Sequence, residues 1–415
     1  MNISLHPPRK AALAFIFVTV LIDMLAFGMI IPVLPILVQD FVGGSAARGA
    51  EIYGLFGTVW ALMQMIFSPV QGSLSDHFGR RAVILISCTG LGLDFILMAL
   101  ASNLWWLFVG RVISGIAAAS FSTAGAYISD VTPPEKRAAS FGLIGAAFGI
   151  GFVLGPALGG VLGAISPRLP FWASAVLALA NVCWGLFALP ESLPKEKRVA
   201  FSWKNAHPIG ALKLLRSHPL LGGLARSYFL VSLAHVVLPS VTVLYMHYRY
   251  GWNAPQVGLM LAGVGVSSLI VQGLLVKPAV RVLKERGAIT AGLICGAVGF
   301  AIYGLAPTGR FFWIGVPVMA LQGIATPSLQ AIMTRCVEPT EQGRLQGALA
   351  SLTGMASLIG PTLFTQVFAA FSGGPAEGSV LPGAPFLVSA VIALIAMMMA
   401  WRTIGILRHL PASAV

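Results

Sequence analysis

Long apolar stretches, each about the length of a membrane-spanning helix, alternate with short polar segments along the chain. A helix needs about 20 apolar residues to cross the hydrocarbon core of a bilayer. The pattern therefore predicts an all-α membrane protein with twelve transmembrane helices. The predicted spans are 12–38, 52–73, 82–101, 104–128, 138–163, 171–190, 219–245, 255–278, 288–306, 311–336, 345–371 and 384–407.

The composition narrows the class of protein. The chain has 57% hydrophobic and 9% charged residues and a mean hydropathy of +0.88, whereas about 25% of the residues in a soluble protein are charged. This composition indicates a multi-spanning membrane protein and not a globular enzyme with one anchor. The net charge of +13 does not indicate nucleic-acid binding, because the basic residues lie in short loops without a continuous basic face.

The placement of the basic residues predicts the orientation in the membrane. Most of the 26 lysine and arginine residues lie at the termini and in the even-numbered loops. Cytoplasmic loops carry an excess of lysine and arginine. We therefore expect both termini and the long central loop in the cytoplasm.

The chain repeats itself. Residues 129–158 resemble residues 334–363, and Gly155-Pro156 corresponds to Gly360-Pro361 at an offset of 205 residues. Because this offset is about half the chain, we expect two related halves of six helices, a known plan of transporters. The predicted parts are a bundle over 1–190, a cytoplasmic loop with a possible interfacial helix over 191–218, and a second bundle over 219–415.

Charged residues inside the apolar stretches are the strongest functional signal. Asp23 lies within the first predicted span, Asp94 within the third and Arg111 within the fourth. A carboxylate at the bilayer centre costs roughly 2.5–3.5 kcal/mol, so we expect the two aspartates to handle protons, ions or substrate. Arg111 needs a partner, for which Asp23 and Asp94 are candidates. The alternative is a purely structural role for all three residues.

The loop after the second span carries a specific string. It reads Gly72-Ser-Leu-Ser-Asp76-His-Phe-Gly79-Arg80-Arg81, in which the glycines permit a tight turn and Asp76 can pair with the arginines. An ordinary basic loop would need neither the aspartate nor the glycine spacing. This string resembles the signature of the major facilitator superfamily. The resemblance implies a cytoplasmic gate formed by Gly72, Asp76, Gly79, Arg80 and Arg81.

Two further strings strengthen the resemblance. Residues 107–115, around Arg111, are similar to the second motif of that family. The fifth span is similar to the motif of its antiporters, which favours export by proton exchange, although small-residue packing alone would also explain the glycines. The antiporter-like residues are Gly151, Gly155, Pro156, Gly159 and Gly160.

Within the superfamily, the chain resembles the tetracycline-resistance efflux proteins over nearly its whole length. This resemblance implies that Asp23 and Asp94 take part in substrate recognition and proton coupling. Tetracycline pumps typically carry a histidine and an aspartate where this chain has Ser268 and Gly296. Proton chemistry is therefore expected in the first half. His235 could partly replace the missing histidine or could be a packed structural residue.

We therefore predict a proton-coupled exporter of a small amphipathic drug, tetracycline-like or multidrug, in a bacterial inner membrane. It is expected to be no enzyme, to need no cofactor or metal, to bind no nucleic acid and to function as a monomer. The alternatives are a transporter of a sugar or other metabolite and a membrane sensor with a transporter shell. Further candidates for the substrate cavity are Gln64, His235, Gln272, Gln322 and Gln330.

Overall fold

The structure is a computed structural model. It describes residues 9–118, 120–132, 137–198, 215, 219–337, 342–372 and 381–407. Throughout these ranges the regular structure is helical, and no strand occurs in them. Most of the predicted loop 191–218, with its possible interfacial helix, lies outside the described residues, as do both ends of the chain.

Within its described residues, the first half of the chain forms eight helical segments. They are α1 (Arg9–Ile30), α2 (Leu34–Phe41), α3 (Ala46–Phe78), α4 (Arg80–Leu100), α5 (Leu104–Ala117), α6 (Ser120–Val131), α7 (Arg137–Ile165) and α8 (Leu169–Ala188).

The part of the second half that the structure describes forms seven α-helices and two irregular turns. The helices are α9 (Pro219–Tyr250), α10 (Ala254–Ile270), α11 (Val276–Leu305), α12 (Gly309–Ala320), α13 (Ala325–Arg335), α14 (Gln342–Ser372) and α15 (Ala384–Leu407). A π-helical turn, Val271–Leu275, joins α10 to α11, and a 3₁₀ turn, Leu321–Ile324, joins α12 to α13.

The predicted all-α membrane architecture is confirmed. Within the described residues, nine helices are long and apolar enough to cross a membrane, and Leu104–Ala117 and Gly149–Ile165 are shorter apolar helices. One of the nine, Ala254–Leu305, is 52 residues long, enough for two crossings. These segments account for the twelve predicted spans.

Three details differ from the predicted spans. The first span is broken between α1 and α2 at Pro32, because proline lacks the backbone N–H that a helix interior requires. The fourth span is divided after α5, where Ala118 forms the cap. The loop expected between the eighth and ninth spans is reduced to a short break at Lys284, whose φ of 56° is not helical and where two helices meet.

The chain separates into two compact units. Unit 1 comprises Met1–Leu37, Val59–Pro208 and Asn253–Ala262, and unit 2 comprises Val38–Thr58, Ile209–Trp252 and Gly263–Val415. Each unit is described by itself below.

In unit 1, α1 and α7 pack closely through glycine. Gly151, Gly155 and Gly159 lie one turn apart along α7 and face α1, where a Cβ atom on Gly155 would lie 2.7 Å from the Cα of Gly28. Glycines at this spacing let two helix backbones approach. The same stretch of α7 also faces the start of α10, where a Cβ on Gly160 would lie 2.5 Å from the carbonyl oxygen of Ala254.

Unit 2 repeats this packing with the corresponding residues. A Cβ on Gly360 of α14 would lie 2.4 Å from a methyl carbon of Val236, and a Cβ on Gly57 of α3 would lie 3.0 Å from Pro361. The Gly-Pro pair of α14 therefore packs against the start of α3, as the Gly-Pro region of α7 packs against the start of α10. The repeat in the sequence is thus also a repeat of packing.

Candidate functional site

Unit 1 contains a cavity of about 220 Å³ among α1, α3, α4, α5 and α7. Its wall is mostly apolar and aromatic, and the rings of Phe27 and Trp60 stack with centroids 5.6 Å apart. The indole nitrogen of Trp60 is buried and has no hydrogen-bond partner within the described ranges. The lining residues are Asp23, Met24, Phe27, Trp60, Gln64, Leu91, Phe95, Arg111, Ser114, Ala118 and Phe152.

Asp23 is held by side chains from two other helices. The Nδ2 atom of Asn181, on α8, donates a hydrogen bond of 3.0 Å to Oδ1 of Asp23, and the thiol of Cys88, on α4, lies 3.6 Å from Oδ2. The same Nδ2 atom lies 3.1 Å from the backbone carbonyl oxygen of Thr19. Asp23 is 6% exposed and Asn181 is 1% exposed. Asp23 is therefore a fixed group at the cavity wall.

Asp94 and Arg111 form a second charged group, on helices α4 and α5. Asp94 is 1% exposed, and neither carboxylate oxygen has a hydrogen-bond partner among the residues that the structure describes. Arg111 is close enough to act electrostatically on Asp94, and its Nη2 atom lies 3.5 Å from the sulfur of Met98. Gly110 allows α5 to pack closely against Asp94, since a Cβ on Gly110 would lie 2.9 Å from Oδ1 of Asp94. Arg111 thus lines the cavity that contains Asp23 and acts electrostatically on Asp94. The pairing of Arg111 with either aspartate stays a prediction.

The predicted cavity residues of unit 2 occupy different environments. Gln322 is 3% exposed, and neither of its amide atoms has a partner in the described part of the chain. Gln330 donates a hydrogen bond of 3.2 Å to the hydroxyl of Tyr228. His235 is exposed on α9, and Gln272 is exposed on the π-helical turn. This turn contacts the 3₁₀ turn that carries Gln322.

Gln322 also explains how the chain accommodates glycine at position 296. A Cβ on Gly296 would lie 2.8 Å from Cδ of Gln322. The amide therefore fills space that a longer side chain on α11 would need. Ser268 lies on α10 and is partly exposed.

A charged cluster lies at the junction of α3 and α4. The guanidinium of Arg80 contacts Asp76 at 2.6 Å and Asp130 of α6 at 3.2 Å, and it donates to the hydroxyl of Ser75 at 2.5 Å. That hydroxyl donates to the carbonyl of Gly72 at 2.7 Å. The structure thus brings the predicted pair Asp76 and Arg80 together. The role of these residues as a gate stays a prediction.

The segment after α8 completes this cluster. Glu191 accepts a hydrogen bond of 2.9 Å from the backbone nitrogen of Arg80 and lies 3.6 Å from Arg198. Gly79 has a φ of 104°, and a Cβ there would lie 2.2 Å from Oε2 of Glu191. Arg81 donates to the backbone carbonyl of Leu186.

Sequence reasoning did not identify Asn181, Cys88 or Glu191 as site residues. The available signal was an amide within the otherwise apolar sixth span and an acidic residue at its end. Neither signal shows which residue the side chain contacts, because the contacts join helices that are far apart in the sequence.

A repeated bundle of membrane-spanning helices, with a carboxylate and an arginine in the wall of a cavity, is typical of a membrane transporter. The sequence profile of the Major Facilitator Superfamily matches residues 16–324 and 227–413. The chain therefore belongs to the major facilitator superfamily, and it is a multi-pass membrane protein.

Individual relatives agree with this assignment. The chain is 37% identical to the class C tetracycline resistance protein of Escherichia coli, over 93% of this chain and 95% of that protein. It is 35% identical to the class B protein of Escherichia coli, over 85% of this chain and 87% of the relative. The expected resemblance to tetracycline-resistance proteins is thus confirmed.

Solved structures show the same fold at low sequence identity. A mutant form of the nucleoside transporter NupG matches with a TM-score of 0.77 and 14% identity, over 94% of this chain and 99% of that chain. The human organic anion transporter MFSD10 matches with a TM-score of 0.70 and 23% identity, over 95% of this chain and 100% of that chain.

Proposed function

We propose that this protein exports a small amphipathic drug in exchange for protons. The observation that carries the proposal is the cavity of unit 1, in which Asp23 and Arg111 lie in an otherwise mostly apolar and aromatic wall. An apolar, aromatic wall suits a drug-like guest, and the few polar groups give it orientation. The similarity to proteins named for tetracycline resistance supports the same class of cargo.

The proposed cycle assigns proton exchange to the first half of the chain. A carboxylic acid in an apolar, water-poor site can take up a proton on one side of the membrane and release it on the other. Asp23 and Asp94 are the proton carriers in this proposal. When either carboxylate is without its proton, the positive charge of Arg111 stabilises its negative charge. Exchange that moves net charge gains about 2.3 kcal/mol per charge for each 100 mV of membrane potential. Alternating exposure of the cavity then couples proton entry to drug exit.

The cavity volume limits how much of the cargo unit 1 can hold. A volume of about 220 Å³ is below the range of about 300–1,000 Å³ that drug-sized ligands occupy. In our proposal, the cavity receives one ring system of the drug, stacked near Phe27 and Trp60.

The proposal includes the finer points predicted from the sequence. The protein is a monomeric transporter of the bacterial inner membrane, with both termini in the cytoplasm, and it has no enzymatic activity and no nucleic-acid partner. Its two six-helix bundles are 1–190 and 219–415, joined by the loop 191–218. The cluster around Asp76 and Arg80 acts as the cytoplasmic gate.

A second candidate is a transporter of a polar metabolite. The observation that favours it is Gln322, whose buried amide has no hydrogen-bond partner among the described residues. A buried amide with unused hydrogen-bonding capacity is better suited to a polar ligand than to an apolar ring. Ser268 and Gly296, which stand where tetracycline pumps typically carry a histidine and an aspartate, also favour a substrate other than tetracycline.

The test uses purified protein in proteoliposomes with an imposed proton gradient. Tetracycline and a panel of amphipathic dyes are offered, and both substrate movement and proton movement are followed by fluorescence. We expect wild-type protein to exchange at least one of these compounds for protons, and Asp23→Asn and Asp94→Asn to lose that exchange. The matched control is Asp40→Asn, an exposed acid at the end of α2, which should keep it.

Two results would refute the proposal. One is proton-coupled exchange that persists in both Asp23→Asn and Asp94→Asn. The other is transport of sugars or nucleosides with no response to any amphipathic compound, which would establish the metabolite transporter instead.

A further inference from the structure

Asn181 is joined to α1 at two points. Its Nδ2 atom lies 3.0 Å from Oδ1 of Asp23 and 3.1 Å from the carbonyl oxygen of Thr19. Both hydrogens of the amide therefore have acceptors on α1. The side chain is 1% exposed, so water does not compete freely for these bonds.

The other end of the same amide is unused. The Oδ1 atom of Asn181 is buried and has no hydrogen-bond partner within the described part of the chain. A side-chain amide carries two donors on its nitrogen and an acceptor on its oxygen. A buried polar atom without a partner costs free energy. The unused acceptor therefore requires an explanation.

A carboxyl group needs different partners in its two protonation states. The carboxylate only accepts hydrogen bonds, whereas the protonated acid also has an O–H to donate. The amide of Asn181 can satisfy both states, through Nδ2 when Asp23 is charged and through Oδ1 when Asp23 is protonated. A backbone carbonyl in its place could only accept a hydrogen bond, and a serine hydroxyl, which can donate and accept, would reach less far from α8.

We propose that Asn181 is the positioning residue of Asp23, and that its amide turns to keep the carboxyl group hydrogen-bonded at the cavity wall with and without its proton. The proposal rests on the proposed function in one respect, namely that Asp23 is loaded with protons during transport. The proton moves onto and off a carboxylate oxygen of Asp23, and Asn181 neither gains nor loses one.

Other groups near Asp23 do not offer the same pair of partners. Cys88 contributes a thiol from α4, and Arg111 contributes a cation from α5 across the cavity. The remaining titratable residues of the neighbouring helices are Arg80, Arg81 and Asp94 on α4, Tyr127 and Asp130 on α6, Arg137 at the start of α7, and Cys183 on α8. Tyr127 donates to the carbonyl of Pro190, and Asp130 contacts Arg80.

The main test replaces Asn181 by leucine, which has the same branched shape and number of side-chain heavy atoms but no hydrogen-bonding group. A hydrogen bond to a charged acceptor is worth more than one to a neutral group. We therefore expect Asn181→Leu to lower, about fivefold, the proton concentration that gives half-maximal exchange in proteoliposomes. Asn181→Ser, which keeps a hydroxyl able to donate and accept, should lie between the leucine variant and wild type and serves if the leucine variant does not fold.

The matched control lies on the same pair of helices. Ser174 of α8 is fully buried and donates a hydrogen bond of 2.8 Å to the carbonyl oxygen of Ala26 on α1. Ser174→Ala removes a bond between α8 and α1 without touching Asp23. If Asn181 only joins the two helices, both substitutions will lower the melting temperature and neither will change the pH profile.

A second measurement reads Asp23 without transport. Infrared difference spectra between high and low pH contain the C=O stretching band of each carboxyl group that takes up a proton, and Asp23→Asn identifies its band by removing it. We expect Asn181→Leu to move this band to higher wavenumber, because the acid loses its hydrogen bond, and Ser174→Ala to leave it unchanged. An unmoved band and a wild-type pH profile in Asn181→Leu overturn the inference. Absence of proton-coupled exchange in wild type, together with a moved band in Asn181→Leu, overturns the proposed function alone.

Discussion

The contact between α7 and α1 predicts a strong effect of one methyl group. A Cβ on Gly159 would lie 2.0 Å from the carbonyl oxygen of Met29 and 2.7 Å from its Cα. Ordinary van der Waals contact begins at 3.4 Å, so the methyl group falls about 1.4 Å short of it. Because the obstacle is backbone, no side chain can turn aside, and α1 has to move away from α7.

The expected magnitude follows from two opposing terms. Alanine is favoured over glycine within a helix by about 1 kcal/mol, whereas forcing an extra methyl group into a packed interface costs about 1–3 kcal/mol. We expect Gly159→Ala to lower the free energy of unfolding by up to about 2 kcal/mol. A methyl group on Gly354 of α14 would meet no atom within 4 Å. Gly354→Ala should therefore raise the free energy of unfolding, because alanine is favoured over glycine in a helix and no clash opposes it.

The assay compares the two variants with wild type in the same detergent, by intrinsic tryptophan fluorescence during heating. Gly159→Ala should melt several degrees below wild type and Gly354→Ala at or above it. Exchange should also fall in Gly159→Ala, since Asp23 and Met24 of the cavity lie on the helix that moves. A Gly159→Ala protein that melts with Gly354→Ala, or above it, would refute the close approach of the two helices.

Two further predictions concern other contacts. Gly79 and Gly44 both have positive φ, of 104° and 83°, but only at Gly79 would an added methyl group meet Glu191. Gly79→Ala should therefore lower the melting temperature more than Gly44→Ala. Equal shifts in thermal scans would contradict this. Gln322 fills the space beside Gly296, so Gly296→Asp should reduce the yield of folded protein in size-exclusion chromatography. Adding Gln322→Ala should restore part of that yield. A double variant with no higher yield than Gly296→Asp would show that the lack of space is not the cause.

The fold was largely predictable from the sequence, because spans in a bilayer depend on runs of apolar residues, which the chain displays directly. The break predicted between the eighth and ninth spans is present at Lys284, where two helices meet, but it is shorter than the predicted loop, and Lys277 and Arg281 lie on helical backbone before it. Hydropathy places the two spans but does not report how few residues join them.

The site was predictable only in part. Asp23, Asp94 and Arg111 were found because a charge inside an apolar run is visible in one sequence. Asn181 and Cys88 were missed because an amide and a thiol are tolerated in many spans, and their meaning depends on which helices are neighbours. That pairing is set by packing, such as the approach of α1 to α7 and α8, and local pattern does not encode it.

In the proposed function, the cavity of unit 1 separates the fit of the cargo from the chemistry that drives its movement. The wall that would shape a guest is built mostly from side chains such as Phe27, Leu91, Phe95 and Phe152, whereas charge is confined to Asp23 and Arg111. Exchanging one aromatic or aliphatic side chain for another alters the contour and leaves the ionisable pair in place. In the proposed exporter, single substitutions in this wall would therefore change which compounds fit, while the ionisable pair stays unchanged.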